Sequence, residues 1–359
     1  MSIIKSTEQY EAWLTRYTPL VADDLKTKHR LMASGAFPFL RATFYRWLEY
    51  WQEASADFEK APIVLCVGDM HVDNFGTWRD AEGRLVWGVN DFDEACFAPY
   101  TLDLVRLIAS ARMAIESNNL SLDPEAAGEA VLSGYTLQIE NGGQPFVLSE
   151  QHAWLRPMAI SILRDPVKYW NKMDALPVLE IDPPIGAAVA LEHMLPERGM
   201  AYTLHKRVAG MGSLGHTRLV ALAQYRGGRI AREAKALVPS SMAWVSGAEA
   251  SVEILYQAIV ERAVRCRDPL VQMDGQWIVR RLAPDCSRIE LTALPEERDE
   301  AHLLKAMGQE LANIHLGTRD AGKRIHDDLK AKKHGWYQPV VDALLDRVQQ
   351  DFEKWKPRG

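Results

Sequence analysis

The sequence predicts an α+β protein of two lobes, and three observations carry that expectation. Aromatic and apolar residues recur at helical spacing over most of residues 1–200 and again from 296 onward, whereas residues 201–295 are β-branched and broken by glycine turns. Two short apolar runs in the first half each end in a cluster of Asp and Asn. The length, 359 residues, exceeds what one small core organises. The expected division is therefore a helical lobe with acidic loops (1–200), a β lobe (201–295) and closing helices (296–359) that pack back on the first lobe.

In chain order, Ser6 or Thr7 is expected to cap a first helix carrying Tyr10, Trp13 and Leu14, and Leu20 to Met32 forms a second. The segment FPFLRATFYRWLEYW reads as a core helix, with Arg41 as a cation able to grip a phosphate or pair with a site carboxylate. Ile63 to Val67 is a buried strand, Trp78 to Arg84 a polar turn, and Leu85 to Asn90 the return strand. Leu102 to Glu116 is an amphipathic helix, with Asp103 either its N-cap or a brace for the loop at Asp69. Asp123-Pro124 starts another helix. Strands follow at Tyr202 to Val208, Thr217 to Tyr225 and Ile230 to Leu237, with Gly227-Gly228 as the tight turn, and a further strand spans Gln276 to Leu282. Helices are expected over Gly247 to Arg265 and from Glu296 to Trp355.

Composition excludes several classes. The 47% apolar and 25% charged fractions are those of a soluble globular protein. A net charge of −6 and a pI near 6.0 argue against a general nucleic-acid or anionic-membrane binder. Cys66, Cys96, Cys266 and Cys286 show no C-x-x-C pairing, so reduced, buried thiols are expected and a zinc site is not. The opening MSIIKSTEQYEAWL has no continuous apolar h-region and no apolar run approaches ~20 residues, so a cytoplasmic protein without a membrane span is expected.

The chemistry concentrates in IVLCVGDMHVDNFGTWRDAEGRLVWGVNDFDEACFAPYTLD. Asp69 and Asn74 form D-x-x-x-x-N, a spacing that can aim a carboxylate at an attacking hydroxyl and an amide oxygen at magnesium. Asp91 ends the next strand and can hold the metal across phosphates, a division of labour found in kinases. Gly, Asp and Asn are also ordinary turn formers; two such loops in tandem, each after an apolar run, favour the functional reading. His71 is either a metal ligand or a hydrogen-bonding loop residue, and Asp73 and Asp93 either take a metal edge or cap a turn. Downstream, Gly210, Gly212 and Gly215 make G-x-G-x-x-G around Ser213. A dinucleotide fold needs a helix after such a loop and an acid about 20 residues on, which Glu233 could supply. A strand follows instead, so strand, glycine loop, strand, tight turn and a strand bearing Lys235 fit a hairpin that covers nucleotide phosphates. Glu249, Glu253 and Glu261 are the candidate partners for Lys235.

The segments GDMHVDNFG, NDFDEA and TLDLVRL, with FPFLRATFYRW, RVAGMGSLG and IHLGTRDA, resemble an uncharacterised bacterial family, domain of unknown function 2252, related to the protein-kinase-like superfamily. The resemblance spans roughly residues 25 to 330. The first two segments are also similar to the catalytic and metal loops of aminoglycoside phosphotransferases. That likeness implies Asp69 as catalytic base, Asn74 and Asp91 as metal ligands, and Asp103 as a brace. Because the glycine loop and lysine follow the acidic loops, the implied kinase-like two-lobed fold is circularly permuted, which is feasible when packed lobes are kept. The expected activity is ATP- and Mg²⁺-dependent phosphoryl transfer to a hydroxyl of a small molecule. A nucleotide-binding pseudokinase without turnover is the alternative, and a metal-dependent phosphoesterase a third, for which the chain lacks enough His and Asp ligands.

Overall fold

The computed structural model describes residues 1–58, 60–148, 152–156, 165–247, 251–286, 288–289 and 299–358. Among them the chain is α+β, with small antiparallel sheets between helices. Helix α1 (Ile3–Leu14) starts earlier than predicted. Ser2 is its cap and accepts from the Lys5 N–H, because the buried face already begins at Ile3. Ser6 and Thr7 lie inside the helix, and the Thr7 hydroxyl bonds the Ile3 carbonyl. Helix α2 spans Ala22–Met32. The aromatic segment forms two helices, α3 (Ala36–Ala42) and α4 (Phe44–Ala54), separated at Thr43, whose hydroxyl takes up the Phe39 carbonyl at 2.7 Å.

Four strands follow: β1 (Ile63–Cys66), β2 (Phe75–Arg79), β3 (Leu85–Val89) and β4 (Cys96–Pro99). β1 pairs with β4, so the two predicted strands do not belong to one sheet. Then come α5 (Thr101–Glu116), α6 (Pro124–Asn141), β5 (Phe146–Val147), α7 (Pro166–Asp174) and α8 (Ile185–His193). Asp123 caps α6 with Pro124 at its first position, as expected from sequence. The second half holds β6 (Tyr202–Lys206), β7 (Arg218–Tyr225), β8 (Gly228–Ala236), α9 (Ser241–Ser246), α10 (Tyr256–Arg262), β9 (Val271–Asp274), β10 (Trp277–Leu282) and β11 (Arg288–Ile289). Helices α11 (Glu300–His315), α12 (Ala321–Ala331) and α13 (Gln338–Trp355) complete the described chain.

The predicted helix over Gly247 to Arg265 is not continuous. Gly247 ends α9 at φ +90°; residues 248–250 lie outside the described ones, and among the described residues of that stretch only Tyr256–Arg262 is helical. The tight turn between β7 and β8 is Arg226-Gly227, with φ of +47° and +83°, one residue before the predicted pair. A five-stranded sheet runs β6-β7-β8-β10-β9, and a four-stranded one runs β11-β2-β3-β5.

Helix α5 is buried along nearly its whole length and forms the axis of the main core with α3, α4, α6, α11 and α13. Helices α6 and α11 cross closely: a β-carbon at Gly134 would lie 2.0 Å from the Lys305 carbonyl oxygen, and one at Gly308 would lie 2.0 Å from that of Val131. The five-stranded sheet is covered on one face by α8, through Ala187, Ala190 and Leu191. Its other face packs on α7 through Met173 and, further along, carries Glu233 and Lys235 toward the acidic loops.

Candidate active site: two acidic loops beneath a glycine loop

Chain geometry fixes the Asp69 loop before any side chain acts. Gly68 sits at φ +87°, and a β-carbon there would lie 2.1 Å from the Glu94 carbonyl oxygen, so only glycine allows the turn. Asp103 holds this turn from below. Its two carboxylate oxygens accept from the Val67 N–H at 2.6 Å and the Gly68 N–H at 2.9 Å. Tyr100, not Asp103, occupies the N-cap of α5, so the brace rather than the cap is realised. His315 meets the same carboxylate at 3.1 Å and Tyr135 Oη at 2.7 Å. Cys66, Asp103 and His315 form one tight group of metal-ligand types. Those atoms are already engaged in hydrogen bonds, with Cys66 Sγ directed at the Ala98 carbonyl at 3.6 Å, so the group reads as a brace.

Asp69 projects from the held turn. Arg106, fully buried on α5 and stacked over Phe44 and Trp47, grips it through Nε at 3.0 Å and through Nη2. Burial pushes the Asp69 carboxyl above its ordinary range, and the Arg106 guanidinium pulls it back. Sequence reading did not single out Arg106. The signal was present as one charge inside LVRLIA, an otherwise continuous apolar run.

Asn74 and Asp91 lie together at the neighbouring edge. Asn74 Nδ2 donates to the Asp91 carbonyl at 3.0 Å, and the Asn90 N–H donates to the Asn74 carbonyl at 2.9 Å. Asn74 Oδ1 is buried without a hydrogen-bond partner, as is Asp93 Oδ1. An orphaned amide oxygen and an orphaned carboxylate oxygen beside Asp91 form an all-oxygen donor set, the kind magnesium takes. Lys235 arrives from β8 with Nζ 3.2 Å from each Asp91 oxygen and also pairs with Asp93. Burial raises the Asp93 carboxyl, and the neighbouring Asp91 charge raises it further. Among the described residues these aspartates, not Glu253 or Glu261, are the partners of Lys235. Glu261 accepts from Gln257 on α10, which lies beside β9, and Glu249 lies outside the described residues. Arg41 pairs with Asp73 at 2.7 Å, and His71 is buried at the same cavity.

The glycine loop joins β6 to β7 and lies over Asp69. A β-carbon at Gly212 would stand 3.5 Å from Asp69 Oδ2 and 3.4 Å from the Arg41 carbonyl oxygen. A helix does not follow the loop, which removes the dinucleotide reading, and Glu233 is occupied otherwise. The first helices clasp the loop: Lys28 Nζ donates to the Gly212 carbonyl at 3.1 Å, and the Val21 N–H donates to the Gly215 carbonyl at 2.9 Å. Tyr10 Oη meets Ser241 Oγ at 2.8 Å on the far side. A cavity of ≈ 60 Å³ remains between loop and acids, lined by Asp69, Asp91, Lys28, Tyr45, Glu94 and Ser213 among others.

A second, larger cleft of ≈ 620 Å³ opens on the other side of Asp91 and Gly210. Behind its arginines Glu233 has no exposure and is held by Arg207, by Arg218 at 3.0 Å and by Arg280 at 2.8 Å. Three guanidiniums hold the Glu233 carboxyl well below its ordinary range against the opposing effect of burial. Sheet register assembles two of them: Arg280 faces Glu233 across β10, and Arg218 faces Lys235 across β7.

Residues 20–159 match a family described as "Uncharacterized protein conserved in bacteria (DUF2252)". The matched stretch contains both acidic loops, Asp103 and Arg106, and stops before the glycine loop and Lys235. No curated protein and no solved structure matches the chain. No helix among the described residues is long and apolar enough to cross a membrane.

Proposed function

We propose that this protein is an ATP- and Mg²⁺-dependent phosphotransferase with a kinase-like, circularly permuted two-lobed arrangement, acting on the hydroxyl of a small molecule. The observation that carries the reading is the meeting of Lys235 with Asp91, at 3.2 Å across 144 residues of sequence, beneath a glycine loop that also covers Asp69. One nucleotide triphosphate spans such a site, which puts donor and base within reach of each other.

Asp69 orients the acceptor hydroxyl and takes its proton as the oxygen bonds to the terminal phosphorus and the bridging P–O bond of ATP breaks. Asp103 keeps the loop from yielding under that task. Asn74 and Asp91, with Asp93 beside them, would hold Mg²⁺, which neutralises charge on the phosphates when bound. The loop amides from Gly210, Gly212, Ser213 and Gly215 and the Lys235 ammonium bind phosphate oxygens. The small cavity at Asp69, walled by α1, α3 and the glycine loop, favours a small acceptor over a protein.

One observation favours a nucleotide-binding module without turnover: the Asp69 carboxylate is already engaged by Arg106. Calorimetry of ATP with and without Mg²⁺, on wild type and on Asp91→Ala, tests the site. Magnesium-dependent binding that disappears in the variant is expected, and absence of ATP binding under both conditions overturns the proposal. Tight binding without phosphate release, and without transfer to any acceptor in a hydroxyl-compound screen, selects the module.

A further inference from the structure

The large cleft beside Asp91 has a charge that phosphoryl transfer to a small alcohol does not require. The whole chain is negative by 6, yet seven of the side chains lining this cleft are Lys or Arg and two are carboxylates. The two carboxylates are accounted for: Asp91 pairs with Lys235, and Asp268 pairs with Arg281 at 3.1 Å. Glu233 behind the wall answers three guanidiniums with one charge. Arg265 adds a further cation, whose strongest opposing charge is the buried Glu310 carboxyl. It is stacked on Trp78 at 4.3 Å and Phe92 at 5.0 Å, donates through Nη2 to the Val89 carbonyl, and keeps buried Nε and Nη1 without partners. Lys168 and Lys172 stand exposed at the rim.

A surplus of buried guanidinium is costly unless an anion completes it, since each uncompensated buried charge forfeits several kcal/mol of hydration. A purine, by contrast, is held by apolar walls and a few aimed polar groups. Such walls line part of the cleft, at Phe92, Tyr256, Val260 and Leu282, but the sheet face two residues before Lys235 adds what a purine does not call for, a carboxylate ringed by arginines. Arginine forks match phosphate oxygens two at a time, and several forks around one space match several phosphates.

We propose that this cleft is a seat for a multiply phosphorylated small molecule, recognised through its phosphates by Arg207, Arg218, Arg265 and Arg280 with Lys168 and Lys172 at the entrance. The seat does not depend on turnover at Asp69. Its ligand is either the donor's own oligophosphate or a separate phosphorylated compound, and the two share the chemistry that the arginines read.

The test is equilibrium binding of inorganic tripolyphosphate without Mg²⁺. Wild type and Asp91→Ala are both expected to bind, the variant equally or more tightly, because a repelling carboxylate has gone. That outcome separates this seat from the magnesium-dependent site, which Asp91→Ala abolishes. Arg207→Gln/Arg280→Gln, which leaves Arg218 to answer Glu233, is expected to weaken tripolyphosphate at least ~10-fold, from the loss of charge-assisted hydrogen bonds. Lys168→Gln/Lys172→Gln alters only exposed positions, so it reads the seat even if the arginine variant misfolds. A few-fold weakening and a flatter salt dependence are expected there. With Mg²⁺ added, competition by ATP on wild type identifies the donor as the source of the phosphates, and simultaneous binding identifies a second phosphorylated compound. Failure of tripolyphosphate to bind wild type overturns the proposal. So does unchanged binding in both charge variants, or displacement of tripolyphosphate by adenosine.

Discussion

The acidic loops and the arginine-ringed sheet face are neighbours with opposite charge economies. Around Asp69, Asp91 and Asp93, carboxylates outnumber the cations that answer them, and two oxygens at Asn74 and Asp93 are left without donors. Around Glu233 the ratio is inverted, with three guanidiniums on one carboxylate. A region short of positive charge is completed by a cation, and a region short of negative charge by an anion. The contrast therefore reports what each side of the site is built to receive, independently of any motif.

The strongest way to break the comparison is Glu233→Ala. Three guanidiniums then face one another in a buried space, and stability is expected to fall by about 3–5 kcal/mol in urea unfolding. Added tripolyphosphate should restore a large part of that loss, whereas it should do nothing for a destabilised variant of the acidic loops. No recovery would mean that an anion does not enter the ring.

Glu310 tests the acidic side through pH. This residue is 1% exposed, accepts from the Val89 N–H that leads to Asn90 and Asp91, and is pushed up to about 7 by burial. A carboxyl whose folded value exceeds its unfolded one binds extra protons in the native state. Its stabilising contribution is complete below about pH 4.5 and is lost as pH rises through about 7. Glu310→Gln imitates the protonated form. It should be more stable than wild type by up to about 3 kcal/mol at pH 8 and level with it near pH 4.5. Parallel stability curves for the two proteins would refute this.

Asp103→Asn removes one of two acceptors for the Val67 and Gly68 N–H groups. A loss of about 2 kcal/mol is expected, together with faster amide exchange confined to the Asp69 turn. The smallest effect belongs to a control far from both charges. Arg226 is a non-glycine residue at φ +47° in a turn that favours Asn or Gly. Arg226→Asn should raise stability by about 0.5–1 kcal/mol and leave tripolyphosphate and ATP binding unchanged.

Local chemistry was legible in the sequence where short-range rules decide. Strands β6, β7 and β8 with their glycine punctuation, the Asp123-Pro124 helix start and the acidic clusters after apolar runs all follow from neighbours a few residues apart. Pairings decided far along the chain were not legible. β1 pairs with β4 rather than with β3, and β2, with Gly76 and Arg79 in it, does not read as a strand until β3 lies beside it. The long helix predicted from Gly247 shrinks to Tyr256–Arg262 among the described residues, since 251–255 are not helical and the helix begins at the buried Tyr256. Arg207, Arg218 and Arg280 look like solvated strand residues one by one. The register of β7, β8 and β10 turns Arg218 and Arg280 onto one carboxylate, and Arg207, just past β6, joins them where its N–H meets the Arg218 carbonyl.

The clasp between the first helices and the glycine loop sets a schedule for the growing chain. Lys28 leaves the ribosome 184 residues before Gly212, the residue whose carbonyl it holds. At ~5–20 residues per second, that separation is roughly 10–40 s of synthesis. Tyr10 and Trp13, which finish packed with Tyr45, Val238 and Ala243, wait longer still for the last two. The helices that carry Tyr10 and Lys28 thus emerge well before the segments that seat them, and over that interval the nascent chain carries an open aromatic surface.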